Sequence, residues 1–338
     1  MANRLTQMTA CAALAAAMAL PTAASAQDRT LTIYTYDSFV ADWGLGPVWQ
    51  EMFEAQCDCT IEWVAPGDGV AVLSRLRFEG DSTDADLVLG LDQNLIVAAK
   101  ETGLLAPHEA DLSVLQMPVD WTDDTFVPFD FGYFAVMYDA EAVENPPTSL
   151  AELIDGPADQ PLVIQDPRTS TPGLGMVLWM KAVYGDEAAE KWAELSDRIL
   201  TVTPGWSEAY SLFTSGETPM VLSYTTSAAY HMLVEEEERY QALAFDEGHY
   251  IQIEVGAAIK DSPELDLARQ FLDFMISAEA QAVMPVNHWM MPVREPSEPL
   301  PAVFDRLVEP TQVLSIDAQT IAEQRAGWVD EWLDAMSR

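Results

Sequence analysis

The sequence predicts an α/β protein with two lobes, each a mainly parallel sheet flanked by helices, joined by crossing hinge strands. Three observations predict this. Strand-like and helix-like segments alternate through the first third of the chain, as a parallel sheet requires. The same rhythm restarts after residue 160. Two unusually long alternating segments, 126–138 and 250–259, are natural crossing strands, and no low-complexity linker separates the halves. With 338 residues, 49% of them hydrophobic, the chain is long enough for two cores at about 100–200 residues per domain. The expected division is residues 27–127 with 252–338 as the first lobe, and 128–251 as the second.

Each element has a local reason. Residues 1–26 read as a secretory signal peptide outside the fold. Arg4 is the only charge there, Met8 to Leu20 is an apolar run too short for a bilayer, and Ala24-Ser25-Ala26 is a small-residue cleavage site. No later stretch is apolar and long enough for a membrane helix. Leu31 to Tyr36 alternates as a strand. Residues 46–56 read as a helix with Pro47 in its first turn, Thr60 to Val64 as a strand, and 69–79 as a helix. Asp86 to Gly90 is the short apolar run of a strand buried on both faces. Asp92 is expected to cap a helix that Gly103 closes. After the long strand from Phe126, Ser149 caps another helix. Then come strand Leu162 to Gln165, helices over 172–184 and 186–197, and strand Met220 to Tyr224 with a helix behind it. The segment beyond Ile259 is mostly helical, ends in a helix near 318–336, and is expected to return to the first lobe.

Charge and cysteine usage exclude several functions. Net charge is −39, from 55 acids against 16 bases, which argues against nucleic-acid binding and attracts cations at long range. Salt screens most of that attraction, and most of the acids, including Glu235 to Glu238, form a solvated surface. Cys57 and Cys59 remain once Cys11 leaves with the signal peptide, and in an oxidising compartment they are expected to pair as a local clip. No nucleophile elbow, P-loop, zinc motif or dinucleotide fingerprint is present. His108, His231, His249 and His288 lie far apart and show no metal-ligand spacing. Nothing in these residues therefore supports catalysis, a metal or a cofactor, and the expectation is a protein that is not an enzyme and carries neither.

Polar and aromatic residues collect instead at strand ends, where open α/β folds bind ligands. Tyr36 and Trp43 follow the first strand, and Asp68 and Gly69 follow the second. Ser170 and Thr171 open the helix at Pro172, where free amides and the positive helix end suit an anion such as phosphate. An ordinary N-cap gives the same pattern. Trp206 sits at a further strand-to-helix turn. Tyr224, Thr225, Thr226 and Ser227 form another, and Tyr230 and Trp289 complete the set. Several such rings at one sheet edge suit a flat organic cation, at about 0.5–2 kcal/mol per cation–π contact. Each ring taken alone is more often core or partly exposed packing than a ligand contact.

Long runs in order, among them Tyr34-Thr-Tyr-Asp-Ser-Phe39, Asp124-Thr-Phe-Val-Pro-Phe-Asp130, Gln165 to Gly175 and Leu222-Ser-Tyr-Thr-Thr-Ser227, resemble the thiamine-binding periplasmic proteins of bacterial ABC transporters. The resemblance covers nearly the whole mature chain and implies a type II periplasmic binding protein fold. It implies a monomer that captures thiamine, thiamine phosphate or thiamine pyrophosphate between its lobes and delivers it to an inner-membrane ABC permease. By matching position, Asp68 and Gly69 would contact the ligand from the first lobe, and Ser170 and Thr171 would meet its hydroxyethyl or phosphate end. Trp206 and Tyr224 to Ser227 would line the second lobe, with Tyr36, Trp43, Tyr230 and Trp289 as aromatic walls. Around Trp289 the match is looser, since Asn287-His288-Trp289 keeps the tryptophan among different neighbours. Two alternatives remain at this stage. One is a carrier of ferric ion, an inorganic anion or another small ligand with the same fold; iron would want clustered tyrosines with histidine or carboxylate, and Thr225 follows Tyr224. A secreted thiamine-degrading enzyme would need a cysteine nucleophile, for which Cys57 and Cys59 are the candidates.

Overall fold

The computed structural model describes residues 29–337; the expected signal peptide lies outside the described residues. The first lobe opens with β1 (Arg29–Tyr34), the short helix α1 (Asp37–Val40), α2 (Leu45–Cys57) and β2 (Cys59–Val64). It continues with α3 (Gly69–Glu79), β3 (Leu87–Asp92) and α4 (Ile96–Lys100). Strand β4 (Val127–Asp139) crosses to the second lobe, which begins with α5 (Leu150–Ile154), β5 (Leu162–Gln165), α6 (Thr171–Tyr184) and α7 (Ala188–Ser196). That lobe adds β6 (Ile199–Thr203), α8 (Trp206–Thr214), β7 (Met220–Tyr224), α9 (Ser227–Tyr230) and β8 (Tyr240–Ala242). Strand β9 (His249–Ala258) crosses back, and α10 (Leu265–Met275), α11 (Ala278–Asn287) and α12 (Ala318–Met336) follow.

The strands form one curled sheet in the order β2-β1-β3-β9-β4-β7-β5-β6. Within each lobe the pairing is parallel, β1 with β2 and β3, and β5 with β6 and β7. The crossing strands run antiparallel to each other and to β3 and β7. Val127 to Tyr133 of β4 pair with β9, whereas Phe134 to Tyr138 pair with β7, so the change of lobe falls within one continuous strand. All ten residues of β9 are buried, because both of its edges are paired and both faces are covered.

Three local expectations need correction. Asp92 caps no helix: it ends β3, is fully buried, and accepts the Asn94 N–H, while α4 starts only at Ile96. Pairing of β9 as far as Asp92 extends β3 past the apolar run. Strand β6 has no counterpart in the sequence reading, since an edge strand with only one buried residue shows little periodicity. The C-terminal segment does not return wholly to the first lobe. Helices α10 and α11 do, with Trp49 of α2 donating to the Ala280 carbonyl at 3.2 Å. Helix α12 packs on α4 in the first lobe and on α6 and α7 in the second. Its Trp332 meets Trp192 edge-on, and its Glu331 pairs with Lys181 at 2.5 Å. Cys57 and Cys59 are disulfide-bonded across the α2–β2 turn, with Cα atoms 5.2 Å apart.

Candidate ligand-binding site

A cavity of about 680 Å³ lies between the lobes, over the crossing strands. Nine of the thirteen expected residues line it: Tyr36, Trp43, Asp68, Thr171, Trp206, Tyr224, Ser227, Tyr230 and Trp289. The other four stand behind the surface. Ser170 is fully buried and caps α6 by accepting the Gly173 N–H, so the plain N-cap reading holds there. Thr225 donates its N–H to the Tyr133 carbonyl and fixes the turn to β4. Thr226 is buried beside it. Gly69 supports the contact between lobes: a Cβ on it would stand 2.6 Å from the Gly90 carbonyl oxygen and 2.6 Å from Thr171 Cγ2.

The lobes are closed on one another. The Asp68 carboxylate accepts the Gly69 N–H at 2.6 Å and, across the cleft, the Trp206 N–H at 3.1 Å; Thr171 Oγ1 lies 3.4 Å away. Ala71 N–H donates to the Thr169 carbonyl at 3.0 Å, and Ser207 Oγ to Asp37 Oδ1 at 3.3 Å. Burial on closure raises the Asp68 pKa to about 6, against the hydrogen bonds that favour its charged form. This position alters the anion expectation at α6. Pro172 has no N–H, Gly173 gives its own to Ser170, and Asp68 already presents an anion to the N-termini of α3 and α8.

The walls are aromatic. Trp206 stacks on Tyr210 with centroids 4.6 Å apart and donates its indole N–H to Ser223 Oγ, which bonds Ser227 in turn. Trp43, 58% exposed, approaches Trp206 at one lip, and Tyr230 meets Trp289 edge-on at 5.4 Å. A single π-type turn, His231–Glu235, follows Tyr230 and brings Glu235 to the cavity.

The floor carries a charged cluster from three segments. Tyr36 donates its hydroxyl to Glu254 Oε2 at 2.7 Å, and His288 Nε2 lies 3.0 Å from that oxygen, 2.9 Å from the Tyr36 hydroxyl and 3.1 Å from Asp130 Oδ2. Burial alone would lower the His288 pKa; the carboxyls of Asp130 and Glu254 outweigh it and push the imidazole up to about 10. Burial, with Asp130 beside it, raises Glu254 to about 7. Three donor atoms this close have a spacing that a cation would also accept. Here the protonated imidazole supplies the positive charge.

A profile of the bacterial extracellular solute-binding proteins matches residues 36–282. The thiamine-binding periplasmic protein of Brucella suis is 55% identical over 96% of this chain and 97% of its own length. Its Escherichia coli counterpart is 50% identical over 91% and 94%. A solved structure of a periplasmic thiamin binding protein superposes with a TM-score of 0.90 at 50% identity, covering 93% of this chain and 98% of that one. The chain is a bacterial extracellular solute-binding protein. Its fold is the type II two-lobed one.

The site of this binding protein holds residues that the sequence did not mark as ligand contacts, chiefly Glu254, His288 and Tyr210 at the surface and Asp130 behind them. Glu235, expected in a solvated run, lines the cavity instead because the π-type turn carries it there. The one signal for Glu254 and Asp130 is a charge inside a long strand that is otherwise mostly apolar, which gains meaning only once both strands are seen to cross under the cleft. Two backbone features also position the binding protein's walls. Gly90 has φ +82°, and a Cβ there would overlap the Tyr36 ring. Trp289 has φ +62°, a left-handed conformation that costs a non-glycine residue about 1 kcal/mol or more and swings its ring over the cavity.

Proposed function

We propose that this binding protein captures thiamine in the periplasm and delivers it to an inner-membrane ABC permease, acting as a monomer and without catalysing a reaction. One observation carries the ligand class. Seven aromatic side chains face the cavity, Tyr36, Trp43, Trp206, Tyr210, Tyr224, Tyr230 and Trp289, and the ionisable groups among them are Asp68, Glu235, Glu254 and His288, with no lysine or arginine. Such a lining suits a flat organic cation, held by stacking and cation–π attraction. The names of the closely similar relatives specify that cation as thiamine. Export by the 1–26 segment accords with the periplasmic naming of those relatives. The disulfide between Cys57 and Cys59 leaves a thiamine-degrading enzyme without its candidate nucleophile.

The same lining bears on the phosphate esters. A pyrophosphate finds no arginine or lysine, and Asp68 stands where the helix N-termini would receive it. Thiamine is therefore expected to bind at least as tightly as its pyrophosphate in titration calorimetry. A pyrophosphate more than about tenfold tighter, some 1.4 kcal/mol, would refute this.

Thermal unfolding tests the ligand class. Thiamine at about 1,000 times Kd adds roughly 4 kcal/mol to stability and raises the midpoint by several degrees. Ferric ion and sulfate are expected to leave it unmoved. A shift with ferric ion and none with thiamine would transfer the reading to the ferric carriers.

A further inference from the structure

The crossing strands set three carboxyls in one row. Asp92 on β3 and Asp130 on β4 are each in register with Glu254 on β9, which runs between them. Like charges opposite one another on neighbouring strands repel, and burial raises the cost of each. Asp92 is held by Asn94, with Arg325 near enough to favour its charged form. Asp130 and Glu254 have one basic neighbour between them, His288. Asp130 is fully buried, and apart from the His288 imidazole 3.1 Å from Oδ2 its oxygens have no hydrogen-bond partner among the described residues. Two carboxyls thus share one imidazolium, and with both ionised the cluster is one positive charge short. Glu254 and His288 open onto the cavity, where the missing charge can be supplied.

We infer that Asp130, Glu254 and His288 form the counter-charge by which the cleft selects a positively charged ring over a neutral ring of the same shape. The inference rests on the thiamine reading above and extends it to residues beneath the aromatic walls. Positioning of Tyr36 does not account for the cluster, because a neutral glutamine at 254 would accept the same hydroxyl. Asp130, which reaches the cavity lining only through the His288 imidazole, would then be a buried liability. Beneath aromatic walls a buried charge acts through a lower effective dielectric than in water, so one uncompensated carboxyl discriminates between a cation and its neutral isostere.

The test compares thiamine with its neutral isostere, in which the ring N⁺ is replaced by carbon to give a thiophene, on wild-type protein, Glu254→Gln and Asp130→Asn. Titration calorimetry is expected to show the wild type preferring thiamine by about tenfold or more, and each variant losing most of that preference through weaker thiamine binding. Both variants keep the side-chain shape, and they remove the charge from different strands. A preference unchanged in the variants overturns the inference, whether both ligands weaken together or neither does, because it assigns the cluster to positioning alone. Equal binding of both rings by the wild type overturns it without any variant. Wild-type protein that binds neither ring overturns the thiamine reading itself.

Discussion

A glycine at position 69 is demanded by closure, not by backbone conformation. Its Cα is where Thr171 of the opposite lobe comes down, with the Gly90 carbonyl on the other side. Gly69→Ala would place a methyl 2.6 Å from both, closer than real Cβ contacts come. The expected result is thiamine affinity weakened by about tenfold or more with the far-UV circular dichroism unchanged, and partial recovery on adding Thr171→Ala, which removes the opposing methyl. No recovery would place the fault in strain within the first lobe. Asp68 belongs to the same contact and shows how a residue can be legible in kind and not in role. Its place at a strand end marks it for the site. Its carboxylate turns out to join the N-termini of α3 and α8 across the cleft, beside the α6 N-terminus that the sequence reading reserved for a phosphate.

Among the elements, those buried on both faces or regularly alternating were legible, and those shaped by neighbours were not. The long patterns at 126–138 and 250–259 are the crossing strands β4 and β9, within one residue at either end. Length set them apart, since a strand that serves two lobes must be about twice as long as one that serves a single lobe. Strand β6 escaped because an edge strand has little to bury. The cluster under the cavity escaped because Asp130, Glu254 and His288 lie on separate segments and meet only after β4 and β9 pair. Helix α12 was legible as a helix and misplaced as a lobe element, because an amphipathic face does not say which partner covers it. Its Trp332 is 3% exposed and packs on Trp192 of the second lobe. Trp332→Ala is expected to cost about 3–5 kcal/mol in denaturant unfolding, as deletion of a buried aromatic does. A loss below about 1 kcal/mol would mean that α12 is not part of the cooperative core.

For the molecule as a whole, the raised carboxyls and His288 set the sign of its pH dependence against His231 and His249, which burial lowers and which act the other way. Burial first, and neighbouring carboxyls second for Glu254, raise Asp68 to about 6 and Asp92 and Glu254 to about 7, from ordinary values of 3.8, 3.8 and 4.5. These groups hold protons more tightly folded than unfolded. The stability they contribute is complete below those ordinary values and is lost as pH rises through 6–7. His288 acts in the same direction, complete below 6.5 and lost as pH climbs through about 10. The surface agrees, since a net charge of −39 repels itself more as protons leave. The ligand-free protein is expected to melt several degrees higher at about pH 5.5 than at about pH 8.5, by calorimetry. A flat or rising midpoint toward high pH would mean that the buried carboxyls titrate normally.

Entry of a ligand into a closed cleft requires an open state, which bending at β4 and β9 would supply. Small-angle scattering of the mature protein, with and without saturating thiamine, tests capture by closure most directly. The account predicts a smaller radius of gyration with thiamine. An unchanged radius, in a sample shown by calorimetry to be saturated, would contradict closure as the means of capture; absence of saturable binding would contradict thiamine as its object.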